Sequence, residues 1–284
     1  MLRRSPIALV VLAALFTLAA SAGAGRVAAK RPVRIVSLSP SLTEDLYAVG
    51  AGPQVVAVDQ DSDYPKGAPR TKLSGLDPNV EAIASYSPDL VVISYDNGLV
   101  AALQKLRIPT LLEPAPDTIA QAYEEIRQIG AATGHAAAAT KVVRGMERTL
   151  TQLIRSVPKR SRHLKVFHEL SPDYYSATSS TFIGRIYKLF GFRNIADAAD
   201  TSHTGYPQLS AEYIVAANPD IVVLADSVCC GQSAATVAER PGWQQVTAVR
   251  KHQVVTVDDS VASRWGPRIV DFARVIAKVA KRSS

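Results

Sequence analysis

The sequence predicts an α/β fold of two similar lobes with mainly parallel sheets, joined by one long rigid helix. Three observations predict it: an internal repeat, short apolar runs that alternate with helical segments in both halves, and an uninterrupted helical pattern between the halves. The chain has 284 residues, of which 47% are hydrophobic, so it is long and apolar enough to bury a core in each lobe.

The internal repeat pairs residues 80–93 with residues 211–224. The two segments, VEAIASYSPDLVVI and AEYIVAANPDIVVL, correspond position by position at a constant offset. Shorter matches flank them in the same order in both halves: Leu38-Ser39-Pro40 with Leu170-Ser171-Pro172, Gly50 with Gly191, and Tyr64-Pro65 with Tyr206-Pro207. Several matches in register indicate two copies of one α/β unit.

Each copy alternates short apolar runs with helical segments. In the first copy we expect strands at 34–38, 55–58, 90–93 and 110–113, and helices at 80–85 and 99–106. A further helix is expected to begin at the capping-box pattern of Ser41 and Glu44 and to end at Gly50. In the second copy we expect strands at 165–169, 221–225 and 253–257, and helices at 182–190 and 211–216. The alternation predicts parallel sheets covered on both faces.

Residues 135–157 predict the helix between the lobes. Apolar side chains recur there at helical spacing, and no proline interrupts the pattern before Pro158. A helix of that length spans about 33 Å and forms a stiff strut. The domain boundaries that follow are 31–134 for the N-terminal lobe and 158–284 for the C-terminal lobe. An ordinary surface helix within one lobe is the alternative.

Residues 1–24 predict a cleavable signal peptide. Arg3 and Arg4 precede an apolar run at 7–20, and Ala22-Gly23-Ala24 has the small residues typical of a cleavage site. We therefore expect export to the periplasm or the extracellular space, with an uncleaved membrane anchor as the alternative. Cys229 and Cys230 are the only cysteines, so no lipid-bearing cysteine is expected near the cleavage site.

Composition and motifs argue against several function classes. The net charge is +7, but the basic residues are scattered and form no stripe with aromatic residues, so no nucleic-acid partner is expected. The sequence contains no phosphate-binding loop, nucleophile elbow or zinc-protease motif, and its five histidines lack metal-site spacing. We expect no catalysis, no metal site and no intrinsic cofactor, and we expect a monomer.

Ligand-binding candidates follow the predicted strands, where a cleft between two such lobes would lie. They are aromatic, amide and guanidinium side chains, which suit a large chelate with polar edges. The candidates are Tyr64, Tyr95, Asn97, Tyr174, Tyr206, Arg264, Trp265 and Arg268. The alternatives are that rings fill the lobe cores and that the arginines are solvated at the surface.

Two further features lie at repeated or cleft-side positions. Glu81 and Glu212 fall in the first turn of the same repeated helix. They complement a helix N-terminus or form a pair of docking carboxylates, and the residues alone leave both open. Cys229 and Cys230 are adjacent in a cleft-side loop and form either a vicinal disulfide or free thiols.

Six segments spread over roughly residues 31–280 carry a family resemblance: 34–41 (RIVSLSPS), 43–44 (TE), 62–65 (SDYP), 80–92, 206–212 (YPQLSAE) and 266–268 (GPR). In these segments the chain resembles the periplasmic binding proteins for cobalamin and ferric siderophores. This resemblance implies the class III fold, two Rossmann-like lobes joined by one long helix. It also implies an aromatic cleft with Tyr64, Tyr95 and Tyr206, and docking of a membrane permease dimer by Glu81 and Glu212.

The resemblance implies the substrate-binding subunit of an ABC importer for a metal chelate. It is strongest to the cobalamin-binding branch, so cobalamin is favoured, with a ferric siderophore or haem as the alternative ligand. An exported enzyme or a sensor module built on the same fold is the alternative function.

Overall fold

The structure, a computed structural model, describes residues 31–283. The expected signal peptide at 1–24 lies outside the described residues. Within 31–283, two four-stranded parallel sheets form the framework, and each is covered by helices. The α/β prediction with two lobes is confirmed.

The first sheet comes from the first copy of the repeat. Its strands are β1 (Ile35–Ser37), β2 (Val55–Val58), β3 (Leu90–Ile93) and β4 (Thr110–Leu112), in the order β2-β1-β3-β4. The helices between them are α1 (Pro40–Ala48), α2 (Val80–Ala84) and α3 (Leu99–Lys105). Asn79 caps α2, since its side-chain oxygen accepts a hydrogen bond from the Ala82 N–H at 2.8 Å.

The start of α1 corrects the expected capping box. The helix begins at Pro40, and Ser39 is its N-cap residue, so Ser41 already lies inside the first turn. Proline fits the first helical position because its fixed φ is helical and its missing N–H would have had no partner there. Glu44 turns instead toward two arginines of the other lobe. The expected end is correct, since Gly50 adopts φ +93° after the last turn.

Two long helices follow the first sheet: α4 (Ile119–Thr133) and α5 (Ala136–Ser156). The 21 residues of α5 match the helix expected at 135–157. The sequence reading did not identify α4, which begins with a capping box formed by Thr118 and Gln121.

The second sheet repeats the first. Its strands are β5 (Lys165–Glu169), β6 (Arg193–Asn194), β7 (Ile221–Leu224) and β8 (Val254–Thr256), in the order β6-β5-β7-β8. Ile35 lies opposite Leu90 in the first sheet, and Val166 lies opposite Ile221 in the second. Leu90 and Ile221 correspond in the repeat, and each pairs in parallel with the first strand of its own sheet, β1 or β5, so the duplication extends to strand order and pairing.

The remaining helices belong to the second half of the chain. They are α6 (Phe182–Leu189), α7 (Ala211–Ala217), α8 (Ser227–Cys230), α9 (Ala234–Ala238), α10 (Thr247–Arg250), α11 (Asp259–Ser263) and α12 (Ile269–Arg282). Short 3₁₀ turns occupy Gly52–Gln54, Lys159–Ser161, Ile195–Ala198 and Trp243–Gln245.

The helix α5 joins the lobes by packing rather than by spanning open solvent. It lies against α4, which follows the first sheet, and against α12, which ends the second lobe. Its buried Val143 belongs to one continuous core that also contains Ile35 of the first sheet, Val166 of the second and Phe272 of α12. The alternative of a surface helix within one lobe is therefore wrong, because α5 packs against helices of both lobes.

Candidate functional site

Two cavities meet between the lobes, at the carboxyl ends of the parallel strands. The first, about 260 Å³, is lined by residues that follow β1 and β3, including Leu38 and Tyr95. The second, about 270 Å³, is lined by residues that precede and begin α6 and by Tyr206. Ser263 and Trp265 line both cavities, so the segment between α11 and α12 forms their common wall. We call the two cavities together the cleft.

Both copies of the repeat direct a helix N-terminus at the cleft. Ser39, Pro40 and Ser41 at the start of α1 line the first cavity, and Thr181 and Phe182 at the start of α6 line the second. The exposed backbone N–H groups and the dipole of a helix start favour negative charge. The cleft therefore suits a ligand with polar or anionic groups at its edges.

The expected aromatic residues divide between three places. Tyr95, Tyr206 and Trp265 come together in the cleft, where the two tyrosines are 60% and 49% exposed. Tyr64 lies in a separate cavity of about 450 Å³, where the Arg268 guanidinium lies 4.1 Å from its ring centroid. Tyr174 lines none of the four cavities found in residues 31–283 and packs on the second lobe core.

Tyr174 packs within the second lobe, which was the alternative considered for the aromatic candidates. It stacks on Trp243 with ring centroids 5.9 Å apart, and the Arg240 guanidinium lies 5.2 Å from its centroid. The same guanidinium lies 4.7 Å from the Trp243 centroid, so these contacts hold the ring against the second lobe, and the structure does not place Tyr174 with Tyr95 and Tyr206.

Asn97 supports the cleft without lining it. Its side-chain amide donates a hydrogen bond to the Leu76 carbonyl at 3.1 Å. Leu76, 79% exposed, lines the first cavity beside Tyr95. Sequence reading did not select Leu76 as a site residue, since an isolated leucine in a loop carries no signal for exposure.

The two arginine candidates are engaged by carboxylates of the first lobe. Arg264 donates to Glu44 at 3.0 Å and forms an ion pair with Asp63 at 2.7 Å. The Nε of Arg268 donates to the other oxygen of Glu44 at 2.9 Å. Glu44 is buried, so the two guanidinium groups neutralise it. Both arginines thus form an ion network between the lobes, while Arg264 also lines the first cavity. Their binding of an anionic ligand group stays a prediction.

Trp265 is held at the wall of the cleft by the first lobe. Its indole N–H donates to the Glu125 carboxyl on α4 at 2.9 Å, and its backbone N–H donates to the Ser41 hydroxyl at 3.4 Å. The position of this ring is therefore determined by groups on α4 and α1.

Buried carboxyl groups surround this anchor. Desolvation by burial raises the pKa of Glu125 to about 8, and desolvation followed by the charge of Glu125 raises the pKa of Asp45 well above its usual value. Desolvation, followed by the charge of Glu124, raises the pKa of Glu113 to about 7. Burial and proximity therefore oppose two negative charges on Asp45 and Glu125 at the same time.

Glu81 and Glu212 occupy equivalent places in the two copies. Both are exposed, one in the first turn of α2 and the other in the first turn of α7. The α7 cap is Ser210, whose hydroxyl accepts from the Tyr213 N–H at 3.1 Å. Hydrogen bonds from its own backbone N–H and from Ser210 lower the pKa of Glu212, which keeps it anionic.

The adjacent cysteines form a vicinal disulfide, one of the two expected alternatives. Cys229 and Cys230 are exposed in α8. The N–H groups of Val228 and Cys229 donate to the Asp259 carboxylate at 3.1 and 2.8 Å, which ties α8 to α11. Neither cysteine lines the cleft.

The family model for periplasmic binding proteins matches residues 35–261. The chain belongs to this family. A substrate-binding lipoprotein of an ABC transporter in Bacillus subtilis is 32% identical over 260 residues, with 88% of this chain and 80% of the relative covered. A cobalamin-binding protein of Halobacterium salinarum is 33% identical, with 84% of this chain and 67% of the relative covered.

Solved structures of this family share the fold. The periplasmic haem-binding protein HutB of Vibrio cholerae aligns with a TM-score of 0.76 and 26% identity, over 87% of this chain and 98% of that one. The vitamin B12-binding protein of Vibrio cholerae aligns with a TM-score of 0.72 and 22% identity, over 89% and 98%. The class III architecture of two lobes and one long helix is thereby confirmed.

This binding protein is a substrate-binding protein of the ABC importer class, a non-enzymatic scaffold. None of the helices in residues 31–283 combines the length and apolar character needed to cross a bilayer. Within the same residues, no group of three His, Cys, Asp or Glu side chains is placed to hold a metal ion.

Replacing Glu44 tests the ion network between the lobes. In Glu44→Gln the buried carboxylate charge is lost while Arg264 and Arg268 remain, so the free energy of unfolding should fall by about 3–5 kcal/mol. Urea denaturation measures the change. Glu147→Gln is the matched control, because its ion pair with Arg127 is exposed and is worth about 0–1 kcal/mol. Equal losses in the two variants would contradict the role given to Glu44.

The buried carboxyl pair predicts a pH dependence of stability. The folded pKa of Glu125, about 8, lies above its unfolded value of about 4.3. The folded state therefore binds more protons than the unfolded state between these values, and stability falls as the pH rises through that window. Glu125→Gln should make this fall shallower between pH 5 and 9, measured as the difference in urea midpoint from the parent protein, while the raised pKa values of Asp45 and Glu113 sustain the remainder. A variant curve parallel to that of the parent would refute the assignment.

Proposed function

We propose that this protein captures a metal chelate, cobalamin in the first place, and delivers it to a membrane permease. The observation that carries the proposal is a pair of cavities that share Trp265 as a wall, with Tyr95 lining one and Tyr206 lining the other. Rings in these positions offer flat apolar surface at low entropic cost. The helix starts of both lobes offer N–H groups to the polar edge of a macrocycle.

The relatives support this choice of ligand class. The Halobacterium relative is named a cobalamin-binding protein and is similar over most of this chain. Vitamin B12-binding proteins of Pectobacterium are 27% identical over 86% of it. Cobalamin carries amide groups around a large ring, which matches an aromatic cleft with backbone donors at both ends.

Haem or a ferric siderophore is the second candidate. The exposed phenols of Tyr95 and Tyr206 in the cleft favour it, because a tyrosine oxygen is an established ligand of ferric iron. The similarity to the haem-binding protein HutB supports the same alternative.

Delivery to the permease is assigned to Glu81 and Glu212. Three observations support this role. The two residues are equivalent in the repeat, both side chains are exposed, and neither carboxylate forms an ion pair within residues 31–283. Two like charges on equivalent helices suit a dimeric partner with basic sites. Export by a cleavable signal peptide at 1–24 completes the proposal, since a capture subunit works outside the cytoplasmic membrane.

Chelate binding is tested on the purified protein with cobalamin, haem and a ferric hydroxamate siderophore. The bound chelate should raise Tm and quench tryptophan fluorescence through Trp265. Tyr95→Ala and Tyr206→Ala should each weaken its binding at least about tenfold, because each removes a ring from the cleft. Leu106→Ala is the control, since this exposed leucine lines none of the described cavities.

The chelate proposal fails if none of the three probes raises Tm or if the tyrosine variants bind as tightly as the control. A haem spectrum that changes in Tyr95→Phe or Tyr206→Phe would instead support iron ligation and the second candidate.

Permease docking is tested with the cognate permease and ATPase in proteoliposomes. The double variant Glu81→Ala, Glu212→Ala should keep the parent affinity for the chelate and lose most of the stimulation of ATP hydrolysis. Glu239→Ala is the control, because it removes another exposed acid from the second lobe. Undiminished stimulation by the double variant would contradict docking through these carboxylates.

A further inference from the structure

A polar cavity of about 360 Å³ lies in the second lobe beside the cleft. It is lined by Thr178, Ser179, Ser180, Arg185, Lys188, Asp197, Asp200 and His203. Ser180 also lines the cleft, so the two spaces adjoin. We call this space the Arg185 cavity.

The cations of the Arg185 cavity lack carboxylate partners. Arg185 and Lys188 lie on successive positions of one face of α6, and neither forms an ion pair within residues 31–283. The Nε of Arg185 is shielded from solvent and has no acceptor among the same residues. A buried guanidinium N–H without an acceptor is unfavourable, which points to an acceptor supplied from outside the chain.

The two carboxylates of the cavity, Asp197 and Asp200, accept hydrogen bonds from backbone N–H groups of the surrounding loops. The buried carboxylate of Asp200 accepts from the Gly205 N–H at 2.8 Å and from the Thr204 N–H at 3.1 Å. Asp197 accepts from the Ser179 N–H at 2.7 Å. These bonds direct the two negative charges into the loops. Arg185 and Lys188 line the same cavity and take part in none of these bonds.

Hydroxyl groups complete the donor set. Thr178 is buried, and its hydroxyl lies 2.7 Å from that of Ser180. The loop held by Asp200 continues directly into Tyr206 of the cleft. A ligand of the Arg185 cavity would therefore contact the same loops that shape the second cavity of the cleft.

We propose that the Arg185 cavity binds an oxyanion group, phosphate or carboxylate, through Arg185 and Lys188. Guanidinium and ammonium groups bind such oxygens by charge-assisted hydrogen bonds, and neighbouring hydroxyls add neutral donors. The oxyanion is either a free ion or an anionic arm of the molecule in the cleft. Binding of inorganic phosphate does not rest on the identity of the chelate.

Inorganic phosphate is the first probe, titrated by calorimetry and by thermal shift against sodium chloride of equal ionic strength. The parent protein should bind phosphate, and its Tm should rise above the chloride value. Arg185→Gln and Lys188→Gln should each weaken phosphate binding about tenfold or more. Arg193→Gln is the matched control, because it removes an exposed arginine of the same lobe that lines none of the described cavities.

Equal phosphate binding by the parent and both cavity variants, or no binding beyond chloride, would overturn the proposal. Lys188 is exposed, so its variant should fold even where Arg185→Gln is unstable. Arg185→Lys should keep part of the affinity, since it preserves the charge and loses only the fork of donors.

The two sources of the oxyanion are separated by titrating the chelate with and without saturating phosphate. Competition, together with weaker chelate binding by Arg185→Gln, assigns the site to an arm of the cleft ligand. Independent binding assigns it to a free anion, and this holds whether or not cobalamin is the chelate.

Discussion

The buried carboxylate of Glu44 is the contact on which the arrangement of the cleft depends. It lies on α1 of the first lobe, and its two oxygens accept from Arg264 and Arg268 of the second. A buried charge is tolerated only where it is paired, so the segment between α11 and α12 has one favourable position. Trp265 lies between the two arginines and is thereby set as the wall shared by both cavities.

The two lobes neutralise their buried carboxylates with arginines from different places. The second lobe buries Glu169 at the end of β5, and Arg240 of the same lobe binds it through two hydrogen bonds of 2.6 Å. Arg240 also lies over Tyr174, which explains why that ring is held in the lobe. In the first lobe the buried carboxylate of Glu44 is instead paired with Arg264 and Arg268 of the other lobe. Duplication preserved the sheets, while the connection between the lobes arose from differences between the copies.

The strands and the duplicated architecture were predictable because their signals are local. Buried parallel strands such as Leu90–Ile93 are continuous apolar runs, and the repeat reports their equivalence directly. Tyr95 was a candidate because it follows the apolar run of β3, whereas Tyr64, which the repeat pairs with Tyr206, lies in another cavity. The helix α4 was not predicted, although the capping pattern of Thr118 and Gln121 is present in the sequence.

The contacts that sequence reading could not supply join distant parts of the chain. The Ser41 to Glu44 spacing is a genuine local pattern for a helix start, but the charge of Glu44 is used by residues more than two hundred positions away. Tyr174 likewise stacks on Trp243, a partner that no local pattern indicates. Contacts with residues distant in the sequence determine which candidate side chains remain free for a ligand. Such contacts are visible only in the folded structure.

The anchor of Trp265 also governs the order in which the cleft can form. Its indole N–H reaches an acceptor 140 positions earlier in the chain, and Arg264 reaches one 220 positions earlier. Bringing together residues so far apart costs more loop-closure entropy than closing nearer segments, so we expect these contacts to form late. The first sheet contains only residues of the first lobe. The cleft, however, lacks its shared wall until the segment after α11 packs against that lobe. Cargo capture is thus reserved for a chain that has completed its fold.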